Sequence, residues 1–198
     1  MAEEPARPPF WLSSALFACV GAGCVGVMHG VRDLRTLWGA NLVPAAHGPE
    51  AWWADVARAQ MDVLLAHART EFPLAVANLL LSLVLLFASW RTLSRTPGAR
   101  RFLVQALVAN ALLSVVTFGV TSEARNQVAM AFADHMPRWA KATGDPVEWE
   151  DVARTIRFLQ RAGLVFALAA YGALLFAMTG ESARAALPAA PGADDAGE

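Results

Sequence analysis

The sequence is short of almost everything that soluble chemistry uses. It has one lysine, Lys141, one tyrosine, Tyr171, and two cysteines, Cys19 and Cys24. The cysteines are five apart inside an apolar run, so on a helix they point to different faces and make poor disulfide partners. They match neither a CxxC redox motif nor a zinc pattern. Charged residues make up 17% of the 198-residue chain, against about 25% in an average soluble domain. The formal net charge is −1, and no basic block interleaved with aromatics is present, which excludes a nucleic-acid partner. All other basic residues are arginine, a coding bias that points to a GC-rich bacterial genome.

The most informative shortage is local. Four apolar runs, 10–28, 72–90, 102–121 and 162–180, contain no Asp, Glu, Lys, Arg or His. Proton relays, ion-coupled transport and voltage sensing ordinarily place ionisable side chains there. A buried haem would need histidine in the runs, but His29, His47, His67 and His135 fall at their ends or outside. No GxSxG, HExxH, phosphate loop or Cys-His pair appears either. The acidic cluster Glu148, Glu150 and Asp151 has Arg154 and Arg157 beside it and reads as a solvated helix face. We therefore expect no cofactor, no metal and no catalysis.

What is there is hydrophobic: 56% of residues are apolar, and each run is about the 17–25 residues needed to cross roughly 30 Å of hydrocarbon. The sequence predicts an all-α, integral membrane four-helix bundle with two helical extramembrane segments. Residues 1–9 form a polar, proline-rich lead and 185–198 a disordered tail of Ala, Pro, Gly and Asp. The first run, 10–28, has a weak n-region and no following small-residue cleavage site, so a retained span is expected rather than a signal peptide. Within it Gly21-Ala-Gly23-Cys24-Val-Gly26 is formally a GxGxxG. A nucleotide reading needs a preceding strand and a turn, and a continuous apolar run supplies neither. Ala18, Ala22, Gly26 and Gly30 instead form a small-residue stripe at four-residue spacing, suited to close approach of another helix.

Apolar positions at helical spacing over 50–71 predict an outer amphipathic helix. Pro73 then stands at the mouth of the second span, 72–90. The loop 93–101, with Arg91 just before it, is basic and free of acids, and should be cytoplasmic under the positive-inside rule. The third span is 102–121. Asp145-Pro146-Val147-Glu148 is a helix-start pattern, so a second outer helix is expected over 145–161, followed by the span 162–180. Four spans put both termini in the cytoplasm and the long segments outside the inner membrane.

The hexad Trp53-Ala-Asp55-Val-Ala-Arg58 recurs as Trp149-Glu-Asp151-Val-Ala-Arg154, 96 positions later. The same offset brings run one onto run three. The chain thus reads as a tandem repeat of a two-span unit, 10–92 and 102–184, with parallel symmetry along the membrane normal. Asp55 with Arg58, and Asp151 with Arg154, are expected to form local i,i+3 ion pairs near helix starts. If the copies met, their Trp, Asp and Arg side chains would make one polar pocket. The function these features support first is a non-enzymatic accessory, assembly or sensing subunit. Its partners are the lipid bilayer and either a second copy or another membrane protein. A small-solute transporter or channel built on the repeat is the alternative; a membrane enzyme with its site in the outer segments ranks third.

Overall fold

The computed structural model of the protein describes residues 10–38, 51–143 and 149–187, with the side chains of 51–53, 135–143, 149 and 182 outside that description. The lead 1–9, the residues beyond 187 and the Asp145-Pro146 helix start therefore lie outside the described residues. Every regular element among them is an α-helix: α1 (Phe10–Leu37), α2 (Ala51–Ala66), α3 (Ala68–Leu93), α4 (Ala99–Val120), α5 (Ser122–Thr143), α6 (Trp149–Thr179) and α7 (Glu181–Ala186). Four of them, α1, α3, α4 and α6, are long and apolar enough to cross a membrane, and each carries one of the four runs. Phe17, Leu80, Phe87, Leu112, Phe166 and Phe176 stand exposed on these helices. So much outward apolar surface is a liability in water and the ordinary state of a span in lipid.

The helices are organised into two compact units. One comprises 10–30, 77–114 and 167–187, and the other 31–38, 51–76, 115–143 and 149–166.

In the first unit the core is Leu12, Leu16, Cys19, Leu85, Ala88, Leu103, Ala106, Leu107, Met178, Ala183 and Leu187. Here α1 runs antiparallel to α3 at very short range. A Cβ on Gly23 would lie 2.7 Å from Leu86 Cγ, and one on Gly30 would lie 2.9 Å from Leu79 Cβ. A Cβ on Gly26 would run into Ser82 Oγ. Asn78 donates to the Gly26 carbonyl at 3.4 Å, a bond that only so close an approach allows. Ala22 packs at the edge of this core, but Ala18 is exposed. The cause is helical pitch. Residues four apart advance about 40° per step, so Ala18 and Gly30 point about 120° apart. The face that packs follows mixed three- and four-residue steps: Leu12, Leu16, Cys19, Gly23, Gly26, Gly30.

The same unit holds the tight α3–α4 connection. Thr96 N–H bonds to Arg91 O at 3.0 Å and Arg95 N–H to Thr92 O at 3.0 Å, an arrangement that closes a helix end with one left-handed residue. That residue is Arg95, with φ 53°; Gly98 follows at φ 75°. The C-terminal end of α6 is capped by two guanidinium groups: Arg100 reaches the Met178 carbonyl at 3.2 Å, and Arg184 reaches that of Thr179 at 3.1 Å. Cations are favoured there by the helix dipole. The short helix α7 extends past the expected end of the last span, with Ala183 and Leu187 buried.

In the second unit α2 packs along α5. The buried positions are small: Ala54, Val56 and Ala75, with Ala124, Ala129 and Ala133 on α5 and Ala153 on α6. Two element boundaries differ from the sequence reading. The outer helix expected over 50–71 ends at Ala66, and α3 starts at Ala68 after a one-residue break at His67. His67 N–H is shared between Val63 O and Leu64 O, both at 3.2 Å. Pro73, inside α3, lacks an N–H and crowds the carbonyl four residues before it, which weakens the turn following His67. From Trp149 on, the expected outer helix 145–161 and the apolar run after it form one helix, α6. No proline interrupts 149–179, and the one glycine near the junction, Gly163, costs only about 1 kcal/mol in a helix. A separate polar helix exists nonetheless: it is α5, between the third apolar helix and α6.

Candidate functional site

The two hexads stand within the first two turns of α2 and of α6. Asp55 and Arg58 pair at 3.5 Å, and Asp151 and Arg154 at 3.2 Å, each within its own copy, the first pair partly and the second largely exposed. Exposed pairs of this kind contribute well under about 1 kcal/mol. Asp151 is in the first turn of α6, whereas Asp55 lies just beyond the first turn of α2. The copies also bury different positions: Ala54 and Val56 in the first, Ala153 in the second. Trp53 and Trp149 are placed by their backbones only. The ion pairs are local, and no ion pair among the described side chains joins one hexad to the other.

The structure brings together a different set of ionisable residues in the second unit, at the end of the apolar segments. Arg125, in the first turn of α5, lays its guanidinium over the Phe118 ring, 3.8 Å from the centroid. It donates to the Thr121 hydroxyl and to the Phe118 carbonyl. Phe118, Thr121 and Arg125 lie at i, i+3 and i+7, so one helical face supplies ring, hydroxyl and cation. Glu71, in the first turn of α3, is within electrostatic reach of Arg125, Asp33 and His67. Burial lowers the pKa of Arg125 from the usual arginine range, and the Glu71 carboxylate opposes that shift. Glu71 and Arg125 act on each other through space, without a direct ion pair. His67 holds its Nδ1 3.0 Å from the Val63 carbonyl, which fixes the ring at the α2–α3 break.

This cluster mixes two acids, a histidine and an arginine. Among the described residues no group of three or more His, Cys, Asp or Glu side chains is arranged to hold a metal. The cation is already satisfied by a carbonyl, a hydroxyl and a ring, so the chemistry of the arrangement is anchoring: it fixes the start of α5 against the end of the third apolar run. The sequence reading passed over Arg125. The signal was available in the Phe118, Thr121, Arg125 spacing across the end of an apolar run.

Inside the apolar helices several polar side chains bond to backbone. Asn110 donates to Ala106 O at 2.8 Å and to Leu81 O at 3.2 Å; Ser89, Thr92 and Ser114 donate to the carbonyls four residues back at 2.7, 2.8 and 2.9 Å. Among the described residues no buried side-chain nitrogen or oxygen lacks a partner. Gln105 is exposed. Cys19 is buried and Cys24 exposed, both as free thiols, on different faces of α1.

No family model matches the chain, and neither the curated proteins nor the solved structures contain one similar to it.

Proposed function

We propose that the chain is a multi-pass inner-membrane protein with cytoplasmic termini, acting without catalysis of its own as an accessory, assembly or sensing subunit. The observation that carries this reading is the use of the polar groups in the spans. Asn78, Ser89, Thr92, Asn110 and Ser114 all bond to backbone carbonyls. The bonds from Asn78 to Gly26 and from Asn110 to Leu81 tie one helix to another, the rest turn back on their own helix, and together they leave few groups to bind a solute or a reacting atom. The small-residue stripe of α1 supports the same reading in a changed form. Gly23, Gly26 and Gly30 are occupied by α3 of the same chain, so this face builds the subunit and is closed to a partner.

The lateral face left for a partner is on α6. Only 6% of its most apolar stretch is buried within the chain, against 22–28% for the other three spans. The tandem repeat belongs to the same proposal. Its support is that each hexad lies in a helix start ahead of an apolar run, in α2 before α3 in one half and in the first turns of α6 itself in the other.

The test is photocrosslinking in native membranes from Ala170 and Ala173, exposed on α6, with buried Leu107 as control. The proposal expects a discrete adduct with a second membrane protein or a second copy from the α6 positions and none from Leu107. Lipid adducts alone, from a protein that is monomeric when purified and passes solutes in a liposome flux assay, would overturn it in favour of a transporter.

A further inference from the structure

We propose that Arg154, Arg157 and Arg161, with Phe158, form a headgroup site for an anionic phospholipid at the point where α6 enters the bilayer. The inference rests on the reading of 162–180 as a span. The four residues line one pocket of about 380 Å³. On a helix, positions 154, 157, 158 and 161 fall within an arc of about 100°, so three guanidinium groups converge on one strip.

Their donors are only partly used. Arg154 pairs with the exposed Asp151 at 3.2 Å. Arg157 gives its Nε–H to Ala153 O at 3.2 Å, which leaves its terminal nitrogens outward. Arg161 makes no hydrogen bond or ion pair with the described residues. A planar guanidinium offers parallel N–H groups that match two oxygens of a phosphate.

The surface below the arginines selects a lipid over free phosphate. Phe158 and Leu159 are 68% and 61% exposed at the level of the pocket. Past Arg161 the helix presents Ala162, Gly163, Val165 and Phe166, the last two 66% and 77% exposed. A ligand with a phosphate in the pocket and a hydrocarbon tail against Val165 and Phe166 is complementary to both parts. A free phosphate uses only the first. Arginine stems near a span end also reach naturally to headgroup level.

The test uses the full-length protein in nanodiscs of equimolar phosphatidylglycerol and phosphatidylcholine, with retained lipid counted by native mass spectrometry. Wild-type protein should retain phosphatidylglycerol in clear excess. The variant R157Q/R161Q should lose that excess by about fivefold for each arginine, the value of a basic residue near an anionic surface. Both side chains are exposed, so the variant leaves the packing intact, and the wild-type ratio is informative without it. An even lipid ratio in wild type, or an unchanged excess in R157Q/R161Q, would overturn the site. So would complete displacement of the lipid by excess inorganic phosphate, which would mean that the arginines bind phosphate without its tail. Extraction of native membranes with alkaline carbonate separates the two levels of the argument. Release of the protein would overturn the span on which the site rests. Retention together with an even lipid ratio would overturn the site alone.

Discussion

The guanidinium of Arg125 lies 3.8 Å from the centre of the Phe118 ring while donating to the carbonyl of that same residue. One aromatic residue at the end of an apolar helix thus holds a cation by its face and by its backbone. A charge so placed can sit at the edge of hydrocarbon because its donors are occupied and its ring neighbour is polarisable. Arg125→Ala should therefore destabilise the protein by about 2–3 kcal/mol, combining the cation–π and charged hydrogen-bond contributions. Arg125→Lys should recover less than half, since an ammonium has no plane to stack. Reversible unfolding in mixed detergent micelles measures both.

The α1–α3 contact makes a second prediction with an internal control. Gly26→Leu places a side chain into Ser82 and should cost at least about 1–3 kcal/mol, the usual penalty of overpacking. Gly21 has nothing within 4 Å of where its Cβ would lie, and Gly21→Leu should leave stability unchanged. Equal losses at the two positions would show that α1 and α3 do not meet as described.

Asn110 ties α4 to the Leu81 carbonyl of α3. Asn110→Ala should lower stability by about 0.6 kcal/mol, and by no more than about 1.7, the range found for polar side chains between membrane helices. The same unfolding assay reads this change.

Arg95 occupies a left-handed conformation at the end of α3. Arg95→Gly should stabilise the protein by about 1 kcal/mol, because glycine adopts this φ without the steric cost of a Cβ. A thermal-melt series comparing Arg95→Gly with Arg95→Ala isolates the backbone effect, since alanine keeps the strain.

The sequence showed the four membrane-length apolar helices plainly because such runs are long and carry no charge. It showed less where burial is achieved by alanine. The buried positions of α5 are Ala124, Ala129 and Ala133, and alanine between Glu123, Arg125, Asn126 and Gln127 gives almost no hydrophobic periodicity. The helix exists because alanine favours it and because α2 packs against it. Of the stripe from Ala18 to Gly30, Gly26 and Gly30 lie against α3 while Ala18 is exposed, since a four-residue repeat drifts around the helix. Repeated letters in the hexads did not foretell their surroundings: Val56 is buried, and its counterpart Val152 is only partly so. The Arg125 site was hidden for another reason. Its partners are a backbone carbonyl and a ring, which leave no motif.

We propose, from the apolar runs and the basic stretch at Arg91 to Arg101, that four helices cross the bilayer with residues 93–101 cytoplasmic and both hexads outside. Single cysteines at Thr96, Arg58 and Arg154, in a Cys19→Ala, Cys24→Ser background, test it with a membrane-impermeant thiol reagent on intact cells. The account predicts that Arg58→Cys and Arg154→Cys label from outside, and that Thr96→Cys labels only after the membrane is opened. Labelling of all three from outside, with the protein resistant to alkaline extraction, would contradict it.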